Sequence, residues 1–372
     1  MRNKNIDIMK GIGIILVVLS HTGGGPLGSW YGSWFSQLFF IIAGYTFNHR
    51  YSENLGGGYE LFVKRIKRLY MPWIAINTIL NILNNWLIRI NIVTNNPALL
   101  EVKSTYIISN VWSISHFWSA MRSMILSHHS YFLAGATWFL PILFFVEIFY
   151  AFLEWTCRKI CKKNYIIYFD IILIIVFCSG IYFTRIDYTV YRINMIFLST
   201  FLFHIGSKIR EFDTDSESKF EPVFKCFISI AIIFILNRLQ IGGIRYSRCE
   251  IQNGGYLLIF SLAGWYLVYG ISELILQSDN VIGKTLVYIG KNTVPIVLLH
   301  LISFKIITYI QVIYYKNPPY MLGAFPVLYN FGLWWLAYLI IGIIVPLFFH
   351  KIHIKVANWI RLKFMIIRQK NC

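Results

Sequence analysis

IDIMKGIGIILVVLSHT, residues 6–22, is an apolar run that carries three ionisable side chains, Asp7, Lys10 and His21. Its length suits a short membrane span over 8–22. Lys10 and His21 are eleven residues apart. On a helix of ~3.6 residues per turn they fall on nearly the same face, about three turns and roughly 16 Å apart along the axis. That is about half the ~30 Å hydrocarbon thickness of a bilayer. A titratable imidazole is thus carried from a membrane surface toward the bilayer interior, where ionisable groups are costly and usually functional. The bland alternative is a helix-end lysine that snorkels and a histidine hydrogen-bonded within a bundle. Asp7 lies one turn before Lys10 and can pair with it (i, i+3).

The rest of the chain agrees with a membrane setting. Of its 372 residues 57% are hydrophobic and only 13% charged, with a mean hydropathy of +0.60. That charged share is about half that of soluble domains. Apolar runs recur from end to end and predict an all-α polytopic membrane protein with about ten transmembrane helices. They lie roughly at 8–22, 33–49, 69–90, 134–156, 164–183, 189–207, 223–238, 254–276, 292–312 and 330–349. The segment 107–126 is too polar for a span and reads as an amphipathic or re-entrant piece. With the N-terminus inside, 24 of the 34 lysines and arginines fall on the inner side. The bias puts both termini in the cytoplasm. The +18 net charge is therefore a topology signal, and nucleic acid is not an expected partner. No small-residue cleavage site follows residue 22, so the first span reads as retained, with a break at Gly23-Gly24-Gly25-Pro26. Residues 1–372 read as one membrane domain with no separate soluble domain. The six cysteines are scattered and suggest neither a zinc site nor a disulfide framework.

Three further constellations could carry chemistry. In KRIKRLYMPW (64–73), Arg65 and Arg68 sit at i and i+3 and form a two-guanidinium fork suited to phosphate. The commoner meaning of such a run is a positive-inside cluster touching anionic lipid. Pro72 then starts or kinks the third span. In GATWFLP (135–141), Trp138 opens a span whose middle holds Glu147, a carboxylate that needs a partner there or stays protonated. In GKNTVP (290–295), Asn292 and Thr293 can cap the ninth span, with His300 two turns on. There is no Gly-rich phosphate loop, HExxH, GxSxG or acidic metal cluster. Their absence argues against a nucleotide hydrolase, a metalloprotease or a serine esterase, and no metal is expected.

IDIMKGIGIILVVLSH, LFFIIAGYTF, KRIKRLYMPW, GATWFLPILFF and YIGKNTVPIVLLH occur in that order. With these motifs the chain resembles the acyltransferase 3 family of bacterial integral-membrane O-acyltransferases, most closely its fucose 4-O-acetylase-like branch. The matching blocks cover about the first 155 residues and the ninth span. The family's first-span motif is an arginine, ten residues and a histidine. Lys10 stands here for the arginine, keeping the charge and losing the bidentate fork.

The resemblance implies a multi-pass protein of the bacterial inner membrane. Its implied reaction moves an acetyl group from cytoplasmic acetyl-CoA to a sugar hydroxyl of a surface or lipid-linked glycan. It also implies roles. Arg65, Arg68 and Lys10 would hold the coenzyme A phosphates. His21 would act as general base, with Glu147 as its orienting carboxylate, or would itself carry the acyl group as an acyl-histidine. Tyr45, Trp138, Asn292 and His300 would contact substrate or the developing oxyanion. Its partners would be the lipid bilayer, acetyl-CoA and the glycan. Rival readings are a glycan-precursor transporter or flippase, a non-catalytic scaffold in polysaccharide assembly, and transfer of another acyl group such as succinyl.

Overall fold

A computed structural model describes residues 3–23, 34–212, 220–239, 244–278 and 280–370. Within them fourteen α-helices and one small hairpin occur. They are α1 (Lys4–His21), α2 (Phe35–Tyr45), α3 (Leu55–Arg65), α4 (Met71–Arg89), α5 (Ala98–Val102), α6 (Ile114–Ser127) and α7 (Phe139–Cys161). Then follow α8 (Tyr165–Arg185), α9 (Ile193–Phe212) and α10 (Glu221–Leu239). The hairpin strands are β1 (Ile244–Arg245) and β2 (Glu250–Ile251). The chain continues with α11 (Gly254–Gln277), α12 (Val281–Lys291), α13 (Thr293–Tyr314) and α14 (Trp334–Lys370). Several starts are written locally. Asn3, Asn54, Ser113, Asn253 and Asn280 each accept a first-turn N–H and cap α1, α3, α6, α11 and α12.

Helices lie over all ten expected segments, with shifted ends. Five stretches are by themselves long and apolar enough to cross a bilayer: 132–185 (which contains α7 and α8), 221–239, 254–277, 293–314 and 334–359. The expected span 134–156 becomes a helix only at Phe139, because 132–138 winds as a 3₁₀ segment that Ala134 leaves at φ −111°, ψ 21°. The second expected span, 33–49, shortens to the eleven residues of α2, and Asn48 then caps a separate 3₁₀ turn at His49–Ser52. Of the expected break after the first span, Gly23 ends α1 at φ 89°, while Gly24–Pro26 lie outside the described residues. Exposed Ile167, Ile171 and Ile175 on α8, with Phe227 and Ile230 on α10, are apolar surface that only lipid or another apolar layer covers. This is a multi-pass membrane protein.

The first helix sits in the middle of the bundle. It packs against α2, α11, α12, α13 and α14, and buries Ile8, Met9, Ile14 and Val18 completely. Its crossing with α12 is backbone on backbone. A Cβ on Gly290 would collide with the Asp7 carbonyl, and one on Gly11 with the Leu286 carbonyl. Likewise α2 and α9 meet through Gly44 and Gly206, each against a carbonyl of the other helix. Without water to drive helices together, close approach at small residues supplies the packing.

Candidate active site

The two ends of α1 open into two different cavities. The Lys10 end faces a cavity of about 330 Å³. Lys10, Lys64, Arg65 and Arg68 line it, together with Asp7 and Glu147. Four cations against two carboxylates leave it positive. The sequence builds this cluster by an irregularity. After α3 the helix widens into a π turn, Ile66–Tyr70, in which the Met71 N–H reaches back five residues to the Ile66 carbonyl. π turns of this kind are rare and frequent at functional sites. Lys64 and Arg65 come from the last α turn and Arg68 from the π turn, and all three reach the same cavity. Lys64 Nζ also donates to the Tyr51 hydroxyl at 3.0 Å, which holds that phenol below its ordinary range.

Arg65 and Glu147 form an ion pair through the guanidinium Nε. The Glu147 side chain is 2% exposed, so its charge is matched where water cannot reach it. This corrects the expectation that Glu147 orients His21. The carboxylate belongs to the basic cavity, because α7 packs on the π turn there and places Glu147 against Arg65, away from the far end of α1.

The His21 end faces a second cavity of about 600 Å³. His21 is half-buried there beside Ser20, Trp138 and the hairpin residues Arg245, Tyr246 and Arg248. Behind it lies His300, fully buried on α13. The two imidazole centroids are 5.3 Å apart, with planes at 37°. His300 Nδ1 is 2.9 Å from the Ile296 carbonyl. A carbonyl only accepts, so Nδ1 carries a proton, and in the neutral ring Nε2 is then the acceptor. Among the described residues that buried Nε2 has no hydrogen bond.

Two phenylalanines line both cavities. Phe39 of α2 and Phe139 of α7 stack at 5.7 Å and 28°, and form a wall shared by the basic cavity and the histidine cavity.

The 3₁₀ segment that presents Trp138 and Phe139 is held by buried polar side chains of α4. Asn77 accepts the Tyr131 N–H at 2.6 Å and donates to the Trp73 carbonyl at 2.9 Å. Trp73 Nε1 donates to Ser130 Oγ at 3.0 Å, and that hydroxyl is 3.0 Å from Thr137 Oγ1.

The structure therefore brings together Lys10, Arg65, Arg68 and Glu147 at one end, and His21, Trp138 and His300 at the other. Two further expectations are corrected. Asn292 makes no side-chain cap, because its amide donates back to the Tyr288 carbonyl at 2.8 Å. It stands beside Thr293, which lines the basic cavity, about two turns from His300, and so is placed with the basic cavity and not with His21. Tyr45 packs on Trp265 with centroids 5.5 Å apart and lines neither of these two cavities. It lies at the end of α2 farthest from Phe35, which lines the His21 cavity.

Sequence reading missed Arg245, Tyr246 and Arg248, which sit in a connection without periodicity. It also missed Asn77, although Asn77, Asn81 and Asn84 recur at helical spacing in α4 and are all buried.

A family model for an acyltransferase domain, that of acyltransferase 3, matches residues 3–362. No curated protein and no solved structure matches the chain.

Proposed function

The chain belongs to the acyltransferase 3 family and is a membrane acyltransferase, and from that premise we propose that it moves an acetyl group from cytoplasmic acetyl-CoA to a sugar hydroxyl. The acceptor is a cell-surface or lipid-linked glycan such as capsule, exopolysaccharide or O-antigen. In this reading the single domain crosses a bacterial inner membrane about ten times, with both termini in the cytoplasm. The observation that carries it is the arrangement of the two cavities. A basic one and a histidine-bearing one lie at opposite ends of a single helix and share the Phe39–Phe139 wall.

Arg68, Lys10 and Lys64 hold the coenzyme A phosphates, with Arg65 fixed by Glu147. Guanidinium forks suit phosphate, and Lys10 and Lys64 act as point charges. The pantetheine arm passes the two phenylalanine rings and brings the thioester carbon to His21. The neutral imidazole takes the proton of the acceptor hydroxyl as its oxygen attacks that carbon. General base catalysis of this kind contributes ~10²–10⁴-fold. The tetrahedral oxyanion then collapses. The C–S bond breaks, and the leaving thiolate takes the proton back from the imidazolium. The Trp138 indole N–H, in the lining of the same cavity, is the candidate donor to the oxyanion, a contact typically worth a few kcal/mol. His300 acts as a positioning residue: its buried ring, 5.3 Å from that of His21, limits how the His21 imidazole can turn within the cavity.

His21→Ala tests the core of this reading. Purified protein carrying it should lose at least about 100-fold in acetyl transfer from labelled acetyl-CoA, with an unchanged elution profile. Transfer within a few-fold of wild type removes His21 from the mechanism.

A further inference from the structure

We propose that the acceptor is an anionic sugar, whose carboxylate or phosphate is recognised by Arg248 and Arg245 at the mouth of the His21 cavity. The word acceptor rests on the acyl-transfer reading above; the anion site itself does not.

The hairpin that carries the two arginines is anchored. Tyr246 between them is 2% exposed, and its hydroxyl is 2.8 Å from Ser199 Oγ of α9. Its ring packs on Phe40 and on Trp138, with centroids 6.2 Å away in each case. The backbone closes with the Cys249 N–H on the Tyr246 carbonyl at 3.1 Å. Arg245 and Arg248 therefore project from a fixed base into the cavity lining, on the same side as His21.

The charge of Arg248 is unbalanced among the described residues, and that of Arg245 is met only by an exposed pair. Among the described residues no aspartate or glutamate lines this cavity, and Arg248 has no carboxylate partner. Arg245 pairs with Glu250 across the hairpin at 3.3 Å, but both side chains are more than half exposed. Exposed pairs of this kind are weak and exchange readily for a better anion. Two cations in an acid-free cavity focus a positive field on whatever enters. A neutral sugar gains nothing from that field. A carboxylate or phosphate accepts parallel guanidinium N–H bonds, while Trp138 covers the apolar parts of the ring. With the anion held at the hairpin, the sugar has one register. The hydroxyl presented to His21 is then the one at a set distance from the charge, which makes Arg248 a specificity-determining residue.

The test uses the full chain in nanodiscs and three probes: a neutral glucan, an oligogalacturonate, and an oligosaccharide linked through glycerol phosphate. At least one anionic probe should bind about tenfold tighter than the glucan, the size of one charged hydrogen-bond contact. The advantage should shrink on adding salt, shrink in Arg248→Gln, vanish in Arg245→Gln with Arg248→Gln, and persist in part in Arg248→Lys. The two anionic arms separate carboxylate from phosphate. Equal affinity for all three probes, no binding of either anion, or an advantage untouched in the double variant overturns the proposal. Labelled acetyl-CoA is assayed with the same probes. Selective anion binding without any transfer sinks the acetyl-transfer reading and leaves the anion site standing. Equal binding and transfer to the neutral glucan does the reverse.

Discussion

Arg65 and Glu147 decide how the basic cavity carries its charge. Glu147 alone is a buried charge of the kind that is costly without a partner; with Arg65 it forms a pair whose carboxylate is almost wholly inaccessible. Removing one member of a buried pair typically costs about 3–5 kcal/mol, because the other is left uncompensated. Arg65→Ala should therefore lower the unfolding midpoint of the detergent-solubilised protein sharply, and Arg65→Ala with Glu147→Gln should recover most of that loss. A double variant no more stable than Arg65→Ala would mean that the pair does not hold the charge of Glu147. The fork at Arg65 and Arg68 is legible in the sequence because i and i+3 follow from helix geometry. The identity of the partner is not. Glu147 is 82 positions further along, and only the packing of α7 on the π turn joins the two.

At the scale of elements, the site depends on how closely α1 and α12 approach. Gly290 lies on the Asp7 backbone, one turn from Lys10, and itself lines the basic cavity. Gly290→Val should cost about 1–3 kcal/mol by overpacking and weaken acetyl-CoA binding in an equilibrium titration, since α12 must shift away from the cavity. Gly135, where a Cβ would meet only open space, supplies the comparison: Gly135→Ala should change stability by no more than about 0.5 kcal/mol. Equal effects at the two positions would mean that α1 and α12 do not depend on a close crossing. Sequence periodicity locates these helices well and misses α12. That helix is short and amphipathic, and it reads as part of an inner loop rather than as the surface on which α1 rests. Periodicity also misses the 3₁₀ start of α7, because GATWFLP is apolar enough to pass for helix while its backbone is held otherwise by Asn77 and Thr137.

For the whole molecule, orientation determines which cavity meets which substrate. The lysine and arginine bias predicts that the basic cavity opens to the cytoplasm and the hairpin to the outside. In a background with the six native cysteines replaced, Ser247→Cys should react with a membrane-impermeant maleimide on intact cells. Glu60→Cys, on α3 beside the basic cluster, should react only after permeabilisation. The opposite pattern would put the basic cavity outside, away from any cytoplasmic thioester, and would remove acetyl-CoA as its occupant.

By itself the sequence determined the helical membrane class and the family, and it set Lys10 and His21 about three turns apart on one short helix with an arginine fork elsewhere. These follow from hydropathy, from 3.6-residue periodicity and from motifs in order, all of which are properties of neighbouring residues. Only the tertiary structure decided that His21 leans on His300 and that Glu147 serves Arg65. It alone revealed that two phenylalanines form a wall shared by the cavities and that a short hairpin brings two arginines to the histidine. Those contacts join residues from distant helices. They depend on crossing distances set by glycines against carbonyls and on side chains filling one another's gaps, which no local spacing encodes.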